Sequence, residues 1–91
     1  MATKSAIISA INSKISGTSA SSWRIGLTHG LSERKQHWRD TEEQDVTHWT
    51  AWEADSLNDA QDIEASGIRA GMKGGTGGDL SSNKAIYVYI F

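Results

Sequence analysis

Two charged residues, Arg34 and Glu64, occupy positions that helical spacing would give to apolar side chains. Residues three or four apart share a helix face, so Arg34 falls between Leu31 and Trp38. Glu64 falls within a second stripe, which consists of Leu57, Ala60, Glu64, Ile68 and Met72. An inward charge needs a partner, a cleft or an ion. The two residues could therefore converge on a phosphate and a divalent metal, or they could form an internal ion pair.

The composition predicts one small domain over residues 1–91. The absence of cysteine excludes disulfides and thiolate metal sites, and favours a reducing, cytoplasmic location. No stretch approaches the about 18 consecutive apolar residues of a membrane helix, so we expect no membrane association. The formal net charge of −2 gives no general attraction to nucleic acid, and any such contact must be local.

A local basic face is available on one short predicted helix and beside it. It comprises Arg24, Arg34, Lys35 and Arg39, together with His29 and His37. This face could bind nucleic acid, or it could be an ordinary solvated surface that precedes the acidic residues 40–45. His29, His37 and His48 could also serve as metal ligands or as a general base, but they form no pair four residues apart on a helix. Histidines that are hydrogen-bonded within the fold are the simpler interpretation.

The elements that must position these residues alternate along the chain. Isoleucines at helical spacing predict a first helix that is capped by Thr3 or Ser5 and ends at Gly17. Residues 23–28 predict a strand, and a short helix with Ser32 as its N-cap follows to about residue 39. Residues 40–45 are expected to be a loop.

The second half of the chain repeats this alternation. Residues 46–52 predict a strand because β-branched and aromatic side chains alternate there. A third helix, capped by Asp55 or Ser56, is expected to reach about Met72. The glycine-rich residues 73–79 predict a loop, which could cradle a phosphate or simply connect two elements. Residues 85–91 predict the last strand.

Three segments resemble the signature of the GIY-YIG nuclease superfamily. The first segment is residues 23–37, WRIGLTHGLSERKQH. It is similar to the part of the signature in which a strand ending in Tyr-x-Gly-[Ile/Ser]-Thr leads into a helix that carries the catalytic arginine. The interval from Gly26 to Arg34 is the usual one in the family. THWTAWEADSLNDAQDIEASGI, residues 47–68, is similar to the next part, where Ala60 to Glu64 reproduces an Ala-x-x-x-Glu step. IYVYIF, residues 86–91, resembles the family's first strand.

The resemblance implies a circularly permuted α+β fold, in which the C-terminal strand lies antiparallel to residues 23–28. A small three-stranded mixed or antiparallel sheet would be flanked by three helices. An exposed edge strand in such a sheet makes a homodimer plausible.

The resemblance also implies roles for particular residues. Arg34 would neutralise charge on the phosphate, Glu64 would hold one magnesium ion, and Tyr87 would be the tyrosine of the first strand, or Tyr89 if the register shifts by one pleat. His37 stands three residues after Arg34, where many members have a histidine four residues after the arginine. Arg24 and Thr76 replace a tyrosine and an asparagine of the family.

Two functions follow. The replaced groups favour a non-catalytic GIY-YIG-like binding module, with nucleic acid as a possible partner. The matched arginine and glutamate favour a magnesium-dependent endonuclease that hydrolyses phosphodiester bonds of DNA or RNA.

Overall fold

The computed structural model describes residues 3–74, 80 and 84–91. Within them lie three helices and four strands: α1 (Lys4–Ile15), β1 (Arg24–Thr28), α2 (Leu31–Gln36), β2 (Thr50–Glu53), α3 (Leu57–Arg69), β3 (Lys73–Gly74) and β4 (Tyr87–Ile90). A π-helical turn, His37–Thr41, extends α2. The predicted α+β class with three helices is confirmed. In this part of the chain no helix has the length and apolar character needed to cross a bilayer.

The sheet has the strand order β2-β4-β1-β3. Strand β4 is central and runs antiparallel to both β1 and β2, so the predicted antiparallel pairing of the C-terminal strand with β1 is confirmed. The predicted count of three strands is wrong, because Lys73 and Gly74 pair in parallel with β1 instead of beginning a loop. The rest of the predicted loop, residues 75–79, lies outside the described residues.

One face of the sheet packs against α1 and α3. The buried aliphatic side chains of this core include Ile7, Ile11, Ile25, Ile63, Val88 and Ile90. Helix α3 comes close to β1 at Gly67, where an added Cβ would lie 2.8 Å from Ile25 Cδ1. Because of this close approach, the buried face of α3 consists of Ala60, Ile63 and Gly67. The predicted inward position of Ile68 is wrong, since this residue is 47% exposed.

The other face of the sheet carries an aromatic cluster. Tyr89 stacks on Trp49 with ring centroids 4.6 Å apart, and Phe91 and Trp38 complete the group. Trp38 comes from the π-helical turn, so α2 and its extension cover this face. Trp23 and Trp38 are buried and Trp49 and Trp52 are half-buried, as expected for tryptophans that supply core volume.

Several predicted boundaries hold and others shift for local reasons. Thr3 caps α1 as predicted, and Gly17 beyond its end adopts a positive φ of 81°. Strand β2 starts at Thr50 instead of residue 46, because Asp45 accepts a hydrogen bond from the Thr47 amide and holds a turn there.

The helix ends also differ from the prediction. The N-cap of α2 is Gly30 and not Ser32, and the helical turns run on to Thr41 through the predicted loop. Helix α3 ends at Arg69 because the chain turns at Gly71, which has a φ of 110°. Met72 is nevertheless buried beyond the helix end.

Candidate functional site

A tight turn between β1 and α2 places Arg34 beside the end of the sheet. Thr28, the last residue of β1, is buried, and its hydroxyl accepts a hydrogen bond from the Gly30 amide at 3.1 Å. The Gly30 carbonyl then accepts the amide of Arg34 at 3.1 Å, which forms the first turn of α2. The half-buried Arg34 side chain is therefore held close to the carboxyl end of β1.

An open cleft of about 580 Å³ lies at this turn, and we call it the β1–α2 cleft. Its described lining consists of Leu27, Thr28, His29, Gly30, Glu33, Arg34, His37, Leu80 and Lys84. Arg34 and Lys84 are cations, and Glu33 is the single carboxylate in this lining. The cleft therefore has the charge and the donors to attract an anion.

Both cleft histidines have contacts within the fold. His29 Nδ1 lies 2.8 Å from the Ala85 carbonyl oxygen, which ties the β1–α2 turn to the start of the last strand. His37 Nε2 lies 3.8 Å from Glu42 Oε2. The third histidine, His48, lies beside Trp23, away from this cleft. Among the described residues, no group of three His, Cys, Asp or Glu side chains could hold a metal ion.

Tyr89 is sealed inside the aromatic face. Its Cα partner on β1 is Gly26, and its ring lies where a Cβ of residue 26 would be. The side chain is 0% exposed, and its hydroxyl accepts a hydrogen bond of 2.9 Å from Trp38 Nε1. Because water does not reach this hydroxyl, it cannot activate a water molecule in this conformation.

Three charged side chains act on the Tyr89 hydroxyl. Burial raises the pKa of Tyr89 above its usual range, while the Trp38 hydrogen bond and the charges of Arg34 and Arg24 lower it. The charge of Glu64 raises this pKa further. The charges of Arg34 and Glu64 therefore both reach the same tyrosine, from helices on opposite faces of the sheet.

Arg24 occupies the place where the family resemblance expects a tyrosine. Its guanidinium carbon lies 4.6 Å from the centre of the Trp38 ring, in a cation–π contact. Its Nη1 donates a hydrogen bond of 2.6 Å to the Gly74 carbonyl. Arg24 thus braces the aromatic face and connects it to β3.

Glu64 is half-buried on α3, and burial raises the pKa of its carboxyl group. The salt bridges between described residues are Lys4–Asp62, His37–Glu42 and Arg39–Asp40, and none of them joins Arg34 to Glu64. The internal ion pair, one of the two alternatives from the sequence, is therefore not formed. Glu64 also does not belong to the described lining of the β1–α2 cleft.

The four predicted site residues are thus only partly brought together. Arg34 and His37 line the same cleft, and Glu64 lies near Tyr89. Tyr87 is half-buried and pairs with Thr28 on one side and Glu53 on the other, at the same end of the sheet. The tyrosine opposite Gly26 is Tyr89, the second of the two register choices.

Sequence reasoning missed Lys84 and the bond between Trp38 and Tyr89. Lys84 precedes a strand in the sequence and gives no signal that the chain returns it to the β1–α2 turn. The Trp38–Tyr89 hydrogen bond has one sequence signal. Trp38 stands one helical turn after Arg34, which places both side chains on the same helix face.

Magnesium, which the family resemblance implies, has a poor set of ligands here. Glu64 is the one predicted metal ligand, and the described residues contain no group of three or more His, Cys, Asp or Glu side chains that could hold a metal ion. Magnesium is usually held by one or two carboxylates together with waters and substrate phosphates. In the described part of the chain, Glu64 is the one carboxylate that the family resemblance offers to a magnesium ion, with waters and substrate phosphate as the other ligands.

Comparison of the chain with protein-family models, curated proteins and solved structures finds no match. The resemblance to the GIY-YIG superfamily therefore stays a prediction from short motifs.

Proposed function

We propose that this domain is a non-catalytic binding module that holds the phosphate backbone of a nucleic acid in the β1–α2 cleft. The observation that carries the proposal is the charge of the described cleft lining: it contains the cations Arg34 and Lys84 and one carboxylate, Glu33, in a protein whose formal net charge is −2. A local excess of cations on an acidic protein concentrates an anionic ligand at that place. Arginine is particularly suited to phosphate, because its guanidinium can donate two parallel hydrogen bonds.

The sealed position of Tyr89 argues against cleavage that uses this tyrosine. In the resembled family a tyrosine takes part in orienting or activating water, whereas the Tyr89 hydroxyl is occupied by Trp38 and has no solvent access. Arg24 and Trp38 fill the positions where further catalytic groups would be expected, and both serve the aromatic cluster. These residues give the aromatic face a packing role.

The fold supports the resemblance without establishing it. The antiparallel pairing of β4 with β1 is the arrangement that a circular permutation requires. The turn from β1 into α2 presents Arg34 at the sheet end, as the motif comparison anticipates. A binding module would retain this geometry while the surrounding catalytic groups change.

The direct test is fluorescence anisotropy with short single-stranded DNA, single-stranded RNA and duplex DNA. We expect Arg34→Gln and Lys84→Gln each to weaken binding about fivefold to tenfold, and the salt slope to fall by about one for each lost phosphate contact. Arg69→Gln and Lys14→Gln are matched controls, since they remove the same charges from exposed helix positions outside the cleft. Thermal melts of all four variants verify that the fold is kept.

Two results would contradict the proposal. One is a wild-type protein that binds none of the three nucleic acids at low salt. The other is a loss of affinity in the two controls as large as that in the two cleft variants, which would indicate a diffuse charge effect.

A second candidate function is a magnesium-dependent endonuclease, and the state of Glu64 favours it. The carboxylate is half-exposed, makes no salt bridge with a described residue and lies near the same tyrosine as Arg34. A magnesium ion shared with a substrate phosphate would then involve Glu64 and waters. Magnesium-dependent cleavage of any of the three nucleic acids, abolished by Glu64→Gln, would establish this function and overturn the non-catalytic proposal.

A further inference from the structure

A second pocket lies at the opposite end of β1 from the β1–α2 cleft, and we call it the Trp23 pocket. It has a volume of about 390 Å³ and is lined by Thr18, Ser22, Trp23, Arg24, Gln44, Asp45, His48, Lys73 and Phe91. This size is within the range of small-molecule sites, about 300–1,000 Å³. Four separate parts of the chain build it, and the proposed function does not use it.

Two cations from neighbouring strands line this pocket. Arg24 and Lys73 are direct Cα partners across the parallel β1–β3 pair, and the Lys73 amide donates to the Trp23 carbonyl at 2.9 Å. Like charges directly opposite each other on adjacent strands destabilise a sheet. No salt bridge between described residues neutralises either of them. An anionic group between the two side chains would remove this repulsion.

The pocket also has an aromatic wall. The ring centroids of Trp23 and His48 are 6.1 Å apart at an angle of 49°, and Phe91 also lines the pocket. The Trp23 indole N–H is already used, since it donates to Thr18 Oγ1 at 2.8 Å. The indole is thereby fixed in orientation. Because Trp23 is buried, the exposed His48 ring beside it is the surface that remains for stacking. Base–aromatic stacking is worth about 1–3 kcal/mol per base.

An acceptor completes the pocket. The Asp45 carboxylate is held in place by the side-chain hydroxyl and the amide of Thr47, and these hydrogen bonds keep the pKa of Asp45 below its usual range. A fixed, ionised carboxylate accepts hydrogen bonds from an exocyclic amine, as it does from the amino group of cytosine. It would repel an anion placed directly beside it, so the anionic group belongs at the Arg24–Lys73 side.

We propose that the Trp23 pocket binds a nucleoside monophosphate whose base carries an exocyclic amine. The phosphate lies between Arg24 and Lys73, the base lies on the His48 ring beside Trp23, and the amine donates to Asp45. This site is separate from the β1–α2 cleft and uses none of its lining residues. If the β1–α2 cleft does not bind nucleic acid, the proposal for the Trp23 pocket is therefore unaffected. If the Trp23 pocket does not bind a nucleoside monophosphate, the proposal for the cleft is unaffected.

The test is an NMR titration of the full chain that follows the Trp23 indole N–H signal, assigned with Trp23→Phe. We expect AMP to shift this signal until one molecule is bound per chain. Inorganic phosphate and adenosine should each bind at least about tenfold more weakly than AMP, because each makes only part of its contacts. UMP, which lacks the amine, should also bind more weakly than AMP.

Variants locate the site. Lys73→Gln should weaken AMP binding about fivefold or more, whereas Lys14→Gln, which removes the same charge from exposed α1, should leave it unchanged. Asp45→Asn should reduce the ratio of AMP affinity to UMP affinity, because the carboxylate that accepts the hydrogen bond from the amine is removed. The proposal is overturned if AMP does not shift the signal, if phosphate alone binds as well as AMP, or if Lys73→Gln and Lys14→Gln have equal effects.

Discussion

The close packing of Tyr89 on Gly26 gives a sharp prediction about stability. A Cβ added at Gly26 would lie 2.3 Å from the Tyr89 hydroxyl oxygen and 2.4 Å from its Cζ. The tyrosine ring cannot move aside easily, since it is fully buried and stacked on Trp49. Gly26→Ala should therefore disrupt the aromatic face.

The expected size follows from two opposing effects. Overpacking a well-filled core costs about 1–3 kcal/mol, and the rigid, buried ring puts this site at the upper end. Replacing glycine by alanine inside a strand otherwise gains about 0.5–1 kcal/mol. The net loss of about 2–2.5 kcal/mol corresponds to a fall in Tm of about 8–20 °C for a domain of this size.

Gly30→Ala is the matched control. A Cβ there would lie 2.4 Å from Glu33 Oε2, a similar distance, but this atom is the end of an exposed, flexible side chain. The backbone at Gly30 has a φ of −131°, which alanine adopts freely. The loss should stay below about 1 kcal/mol.

The assay is a thermal melt by far-ultraviolet circular dichroism, with urea unfolding as a second measure. The double variant Gly26→Ala/Tyr89→Leu should be less destabilised than the sum of its single variants, because leucine lacks the clashing ring atoms. The reasoning is refuted if Gly26→Ala melts within about 3 °C of the wild type, or if the two changes are additive.

Three further predictions concern the same region. Glu64→Gln should raise Tm at pH 7, because burial raises the pKa of Glu64 and its ionised form therefore destabilises the folded state. This gain should disappear near pH 3.5, where the carboxyl group is protonated in both states. A fall in Tm at pH 7 would instead show that the carboxylate has a stabilising partner in the folded protein. Trp38→Phe should lower the free energy of unfolding, measured by urea titration, by about 2 kcal/mol, because the buried Tyr89 hydroxyl loses its hydrogen-bond donor. An unchanged urea midpoint of unfolding would contradict this prediction. The raised pKa of Tyr89 predicts that stability is kept below about pH 10 and falls as the pH rises further, and Tyr89→Phe should weaken this fall.

Local sequence patterns predicted much of the fold because the determining signals are local. The Thr3 cap and Gly17 bound α1, and the alternation in residues 85–91 marks the central strand correctly. Strand β3 escaped prediction because it has two residues and one of them is glycine, so its pairing depends on β1 and not on its own propensity. The boundaries of β2 depend on the side chain of Asp45, which hydrophobic alternation does not reveal.

The candidate site was predictable to a smaller extent. Helical spacing identified Arg34 and Glu64 as unusual, and both are half-buried in the structure. Which residues share the cleft with Arg34 depends on tertiary packing: Lys84 reaches it from a distant part of the chain. The choice between Tyr87 and Tyr89 depends on the register of two strands, and a single sequence does not fix that register.

Mapping a bound oligonucleotide on the protein surface tests the central claim most directly. A short single strand of RNA or DNA is titrated into isotopically labelled protein, and backbone amide shifts are followed at low salt and at high salt. We predict salt-sensitive shifts at Gly30, Arg34, His37 and Lys84, with little change along the exposed face of α1. Shifts that avoid these residues, or no shifts at all at low salt, would contradict a phosphate-binding role for the β1–α2 cleft.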